Sequence, residues 1–173
     1  HIGDAVFLGC SGLSDVKLPA TIKSLGTYAF SGSGITSIEL PATFTQTSGA
    51  CFWSCSKLVK AIVPHTADMF SGCYNLKTII VPDGVTELRG GAFYQLTSMT
   101  NISIPSSVLS IGTQAFYNCI NLDSISLSEG LTTVGEGAFW ECNKLRSLKL
   151  PKSLTTIKST GFAHCRSLTT VEI

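Results

Sequence analysis

Charge is what this 173-residue sequence has least of. Asp, Glu, Lys and Arg make up 13% of the chain and leave a formal net charge of +1 at pH 7, against a usual charged share of roughly 25%. The Lys and Arg residues are scattered along the chain, whereas a phosphate backbone is held by clustered cations, so a nucleic-acid partner is excluded. No apolar run approaches the roughly 18 residues that a membrane-spanning helix requires. Histidine is scarce as well, at positions 1, 65 and 164 only. No Gly-x-Gly-x-x-Gly, Walker loop or His-Glu-x-x-His is present. Without convergent titratable groups the chain reads as no enzyme, with no cofactor and no metal site. Ser and Thr take the place of charge and predict a neutral, hydroxyl-rich surface.

What is there is repetition. Phenylalanines at 7, 30, 52, 70, 93, 116, 139 and 162 are separated by 23, 22, 18, 23, 23, 23 and 23 residues. A fixed period of this size with recurring aliphatic positions is the mark of a leucine-rich solenoid. It predicts a single leucine-rich repeat domain over residues 1–173, built from about eight repeats of ~23 residues. His1-Ile2-Gly3-Asp4 opens inside a repeat and Val171-Glu172-Ile173 stops inside another, so the chain reads as part of a longer protein, with no legible leader.

Each repeat carries one frame. After the anchor Phe7 come Leu13, Val16, Leu18 and Pro19; after Phe93 come Met99, Ile102, Ile104 and Pro105; after Phe139 come Leu145, Leu148, Leu150 and Pro151. The period-two ending predicts a short strand with its apolar residues inward, and proline, lacking an N–H, stops it. An arc such as Ile22-x-x-Leu25-Gly26 then leads by a tight turn to Ala29-Phe30. Such strands are too short to stand alone, so they stack into a parallel sheet. The predicted fold is an α/β-type repeat solenoid, a right-handed superhelix with short parallel strands on one face and turns or 3-10 segments on the other. The repeat from Phe52 is irregular: Val63-Pro64 runs through His65 and Asp68 straight to Phe70, five residues short of the period. The missing arc is a surface deletion or a groove in which His65 and Asp68 meet a partner.

Six of the seven cysteines, Cys10, Cys55, Cys73, Cys119, Cys142 and Cys165, follow an anchor phenylalanine by three residues; Cys51 does not. Stacked repeats place equivalent side chains parallel and about 4.8 Å apart, a poor geometry for a disulfide. They read as buried free thiols acting as small hydrophobes. His164 beside Cys165 is the only Cys–His neighbour pair, and its thiol falls at an inward structural position.

Binding is expected on repeated surfaces. The outward strand positions put Lys60 with Ile62, Thr78 with Ile80, and Asn101 with Ser103 on one open face. Ile62 and Ile80 are predicted neighbours and mark a candidate contact patch. One residue after three consecutive anchors, Tyr94, Tyr117 and Trp140 form an aromatic column, which either packs ring on ring or serves a protein or glycan partner.

The pattern Leu-x-x-Ile-x-Leu/Ile-Pro-x-x-Val-x-x-Ile-Gly-x-x-Ala-Phe-x-x-Cys, carried almost unbroken by Met99 to Cys119, resembles the BspA-like (treponemal-type) leucine-rich repeat. Leu145 to Cys165 repeats it, with Lys158 and Gly161 at the places of its glycine and alanine. The resemblance covers nearly the whole chain. It implies an extracellular or cell-surface protein of host-associated microbes, non-catalytic, acting in adhesion to a host matrix or cell-surface protein or to other microbes. An architectural spacer and an intracellular scaffold are the alternatives.

Overall fold

The computed structural model describes residues 1–47, 49–64 and 68–173, with the backbone alone for Gln46 and Thr47. Among these residues the chain forms two rows of short parallel strands and no helix. One row holds the three-residue strands β2 (Ser37–Glu39), β4 (Lys60–Ile62), β5 (Thr78–Ile80), β7 (Asn101–Ser103), β9 (Ser124–Ser126), β11 (Ser147–Lys149) and β13 (Thr170–Glu172). The other holds two-residue strands: β1 (Ser24–Leu25), β3 (Gln46–Thr47), β6 (Glu87–Leu88), β8 (Ser110–Ile111), β10 (Thr133–Val134) and β12 (Thr156–Ile157).

The first row is the predicted sheet. Strands β2, β4 and β5 are hydrogen-bonded in that order, with Ile38 opposite Ala61 and Ala61 opposite Ile79. These central residues are buried while their neighbours face outward, because side chains alternate across a strand. The first repeat departs from expectation: no strand forms around Val16. Its chain bonds to the next coil at Ser14, whose carbonyl accepts from the Thr36 N–H at 3.2 Å. Beyond that a cleft of about 480 Å³ lies between it and β2, and Val16 and Leu18 are only half-buried.

The second row corrects the α/β reading, since the far side of each coil is neither helical nor 3-10. Leu88, Ile111 and Val134 point inward, and β6, β8, β10 and β12 form one four-stranded sheet. The glycine after the aliphatic residue makes this possible. A Cβ on Gly112 would lie 2.5 Å from the Gly90 nitrogen, and one on Gly135 would lie 2.5 Å from the Gly112 carbonyl carbon. Neither has positive φ. These glycines therefore serve the approach of one coil to the next, not the tight turn that their sequence position suggests.

The third side is the anchor turn. Its phenylalanines stack as an interior file, with ring centroids 5.0 Å apart for Phe7–Phe30, 5.6 Å for Phe52–Phe70 and 4.9 Å for Phe116–Phe139. Phe30 to Phe139 are fully enclosed, each worth about 2–3 kcal/mol of apolar burial. Backbone rungs run beside the rings: the Phe93 N–H donates to the Ala115 carbonyl at 2.8 Å, and Phe116 to Ala138 at 2.7 Å. The residue two places after every anchor, from Gly9 to His164, has positive φ.

The file is interrupted once. Among the described residues no ring contact joins Phe70 to Phe93, and the Phe70 N–H makes no rung to Ala92. Strands β5 and β7 fall in separate hydrogen-bonded groups at the same junction, as β9 and β11 do two coils on. The shortened Phe52 coil contributes no second-row strand among its described residues.

Candidate functional site

The predicted open face forms. Lys60 pairs across the sheet with Thr78, and Ile62 with Ile80. Ile80 is 42% exposed and Ile62 is half-buried, while Lys60, Thr78, Asn101 and Ser103 are exposed on the same side. Asn101 and Ser103 sit on β7, across the interruption from Ile80. The amide of Asn101 donates to the Thr100 hydroxyl at 3.2 Å. The face is thus aliphatic on β4 and β5 and hydroxyl-rich on β7 and β9.

The aromatic column forms too. Tyr94 and Tyr117 stack at 5.0 Å and 6°, and Tyr117 and Trp140 at 6.4 Å and 12°. His164 continues it, 4.6 Å from Trp140. All three predicted rings are half-buried. Their faces are spent on one another along the array, so a partner meets only edges and the polar tips. Gln114, Glu136 and Thr160 line a cleft of about 410 Å³ beside Tyr117 and Trp140.

The thiols acquire a role that spacing did not reveal. Five of the seven donate to the carbonyl of the anchor phenylalanine in the preceding coil: Cys55 to Phe30 at 3.1 Å, Cys73 to Phe52 at 3.0 Å, Cys119 to Phe93 at 3.1 Å, Cys142 to Phe116 at 3.3 Å and Cys165 to Phe139 at 3.2 Å. Leu96 occupies this position above Phe70, so the rung is missing at the interruption. All seven cysteines are free. Cys10 corrects the reading that all are buried: it is exposed, with no earlier anchor carbonyl beneath it in this sequence. Burial pushes the Cys119 thiol up to about 12 and Cys165 up to about 11. The hydrogen bond that Cys73 donates to Cys55, together with burial, raises the Cys73 thiol further and lowers that of Cys55 to about 7. Cys165 faces inward while His164 turns out to Trp140, so the two do not assemble a nucleophile and base. Among the described residues no cluster of metal-binding side chains exists, and no helix is long and apolar enough to cross a membrane.

A cleft of about 520 Å³ lies beside the strand of the shortened coil. Glu39 and Pro41 form one wall, Pro82 and Asp83 the other, and Ile62 and Pro64 the floor. His65 lies outside the described residues. Asp68 is exposed, and its backbone carbonyl accepts from the Ala50 N–H at 2.9 Å; partial desolvation raises its carboxyl above the usual range. Sequence reasoning anticipated a notch here but not its lining, although the proline closing each strand was a legible signal.

Comparison with known proteins gives one consistent result. The sequence profile described as "BspA type Leucine rich repeat region" matches six copies, over residues 1–69 and 66–173. Among solved structures, a leucine-rich cell surface protein of Faecalibacterium prausnitzii is 26% identical, with a TM-score of 0.57 over 99% of this chain and 56% of that one. The leucine-rich repeat protein of T. pallidum is 26% identical, with a TM-score of 0.69 over 86% of this chain and 73% of that one. A leucine-rich repeat protein of Eubacterium ventriosum, 24% identical, shares the fold at a TM-score of 0.72 over 84% of this chain. This chain spans 56% of the F. prausnitzii protein and 41% of the E. ventriosum protein. No curated protein matches.

Proposed function

The chain belongs to the BspA-type leucine-rich repeat family, and on that premise we propose that it is a non-catalytic cell-surface or secreted binding module that adheres to a host matrix or cell-surface protein or to a microbial partner. Family members of this kind are protein-interaction scaffolds, and a leucine-rich relative carries "cell surface" in its description. The observation that carries the reading is the outward pair of half-buried Ile62 and exposed Ile80, opposite each other on β4 and β5. An apolar pair held outward on a sheet loses area to water until a partner covers it. Lys60, Thr78, Asn101 and Ser103 supply the polar rim. Tyr94, Tyr117 and Trp140 offer only edges, which favours their packing role over glycan stacking. We also take the coil to be right-handed, in line with the handedness of crossovers between parallel strands.

The test is surface plasmon resonance of the chain over immobilised host matrix proteins, with binding to whole microbial cells measured alongside. Binding weakened about tenfold by Ile62→Asp with Ile80→Asp supports the reading, as expected for the centre of an interface. A chain inert to the whole panel, or a double variant that binds equally well, would instead favour a spacer.

A further inference from the structure

We propose that Trp53 and Tyr28, on the anchor turns of the Phe52 and Phe30 coils, bind a neutral glycan by stacking against one of its hexose rings. The backbone register fixes where Trp53 stands. The Gly32 N–H donates to the Trp53 carbonyl at 2.8 Å and the Ser54 N–H to the Ser71 carbonyl at 2.9 Å, so Ser31 and Ser71 hold the same place in the coils before and after it. In the other half of the array this place is filled by the stacked rings of Tyr94, Tyr117 and Trp140. A serine is too small to cover an indole. Among the described residues Trp53 meets one other ring, that of Tyr28, at 6.2 Å and 71°, an edge contact that leaves indole face open. Trp53 is 49% exposed and Tyr28 44%.

Tyr28 strengthens the case. It stands two places before its anchor with a φ of 57°, between Ala5 and Ala50 at the same place in the adjoining coils. A bulky side chain is unfavourable in the left-handed region, and this ring gains little burial in return. A costly backbone position that holds a ring out to water is accounted for by a binding role. The surroundings say what binds. Residues 27–33, 49–56 and 68–74 carry a single charge, Asp68. Its side chain lies toward the coil beyond, where a Cβ on Gly91 would be 3.6 Å from the Asp68 Cβ. An ionic ligand at Trp53 therefore finds no counter-charge. What the corner offers is an open indole face, a phenol, and the hydroxyls of half-buried Ser54 and Ser71. A pyranose matches that set. Its weakly positive C–H groups sit on the electron-rich face of the indole, and its hydroxyls exchange hydrogen bonds with groups that both donate and accept. The backbone rungs on either side hold the corner ready, so little ordering is needed on binding.

This site is separate from the open face of Ile62 and Ile80, and either can fail alone. The probes are maltotriose and cellotriose, titrated into the full chain by isothermal calorimetry, with choline and a sulfated disaccharide as charged controls. Saturable binding of at least one trisaccharide, weakened by about tenfold or more in Trp53→Ala and unchanged in Trp140→Phe, supports the site. Tyr28→Asn removes the ring at a conformation asparagine adopts readily. It should weaken the sugar about fivefold or more while the urea midpoint does not fall, which keeps loss of the ring apart from unfolding. The chain carrying Ile62→Asp with Ile80→Asp should bind the sugar as the parent chain does. No saturable binding of either trisaccharide up to about 50 mM, tighter binding of a charged control, or full affinity in Trp53→Ala or Tyr28→Asn overturns the proposal.

Discussion

Gly112→Ala tests the account of how the coils approach each other. An added Cβ would sit 2.5 Å from the Gly90 nitrogen, 2.8 Å from the Arg89 carbonyl carbon and 2.9 Å from the Leu88 oxygen. Non-bonded carbon prefers about 3.5–4.0 Å, so the two backbones must part by roughly 1 Å. They part where the Gly112 N–H donates to the Leu88 carbonyl at 2.7 Å. Losing that bond costs about 1 kcal/mol, and forcing a methyl into a packed contact costs about 1–3 kcal/mol. The stiffer unfolded chain of the alanine variant returns about 0.4–1 kcal/mol. The expected loss is about 2–3 kcal/mol, read by urea denaturation with the slope held common. Gly12→Ala is the control: nothing lies within 4 Å of its Cβ and its φ is not positive, so its effect should stay within about 0.5 kcal/mol. Equal stability for the two variants would refute the close-approach role of the glycine.

Two further measurements probe the interior. Phe116→Ala removes a fully buried ring packed at 5.1 Å and 4.9 Å against its two neighbours and should cost about 3–5 kcal/mol; a loss below about 1 kcal/mol in the same assay would contradict an interior file. The Cys119 thiol predicts alkaline sensitivity, because an unfolded cysteine ionises near 9.0 while folded Cys119 holds its proton to about 12. The folded state binds the extra proton, so stability is fully present below about pH 9 and falls as pH rises toward the folded value, by up to about 1.4 kcal/mol per pH unit for this thiol. Cys119→Ala should flatten that slope between about pH 9 and 11, and an unchanged slope would dismiss the thiol as its source.

Much of the fold was legible because burial imposes a period. The anchor phenylalanines and the alternation of Ile102 with its neighbours announced an interior file and a parallel sheet. The second strand row was hidden, since two residues such as Thr133 and Val134 are too few to display alternation. Its glycines therefore read as turn-formers rather than as spacers between coils. The left-handed positions were masked by Gln95, Glu141 and His164, where no glycine flagged the conformation. The thiol spacing was plain, but its purpose depended on a carbonyl from another coil. In the same way, the outward direction of Ile80 followed from strand parity, whereas the way the aromatic rings spend their faces on each other needed three dimensions.

The missing contacts between Phe70 and Phe93 bear on how the molecule comes apart. In a stack bound only by nearest neighbours, stability is a sum over junctions, so loosening advances coil by coil until it meets a weak one. Loosening that reaches this junction from either side thus encounters a firebreak. One half can melt while the other remains whole, and strain applied to one end need not reach the opposite end.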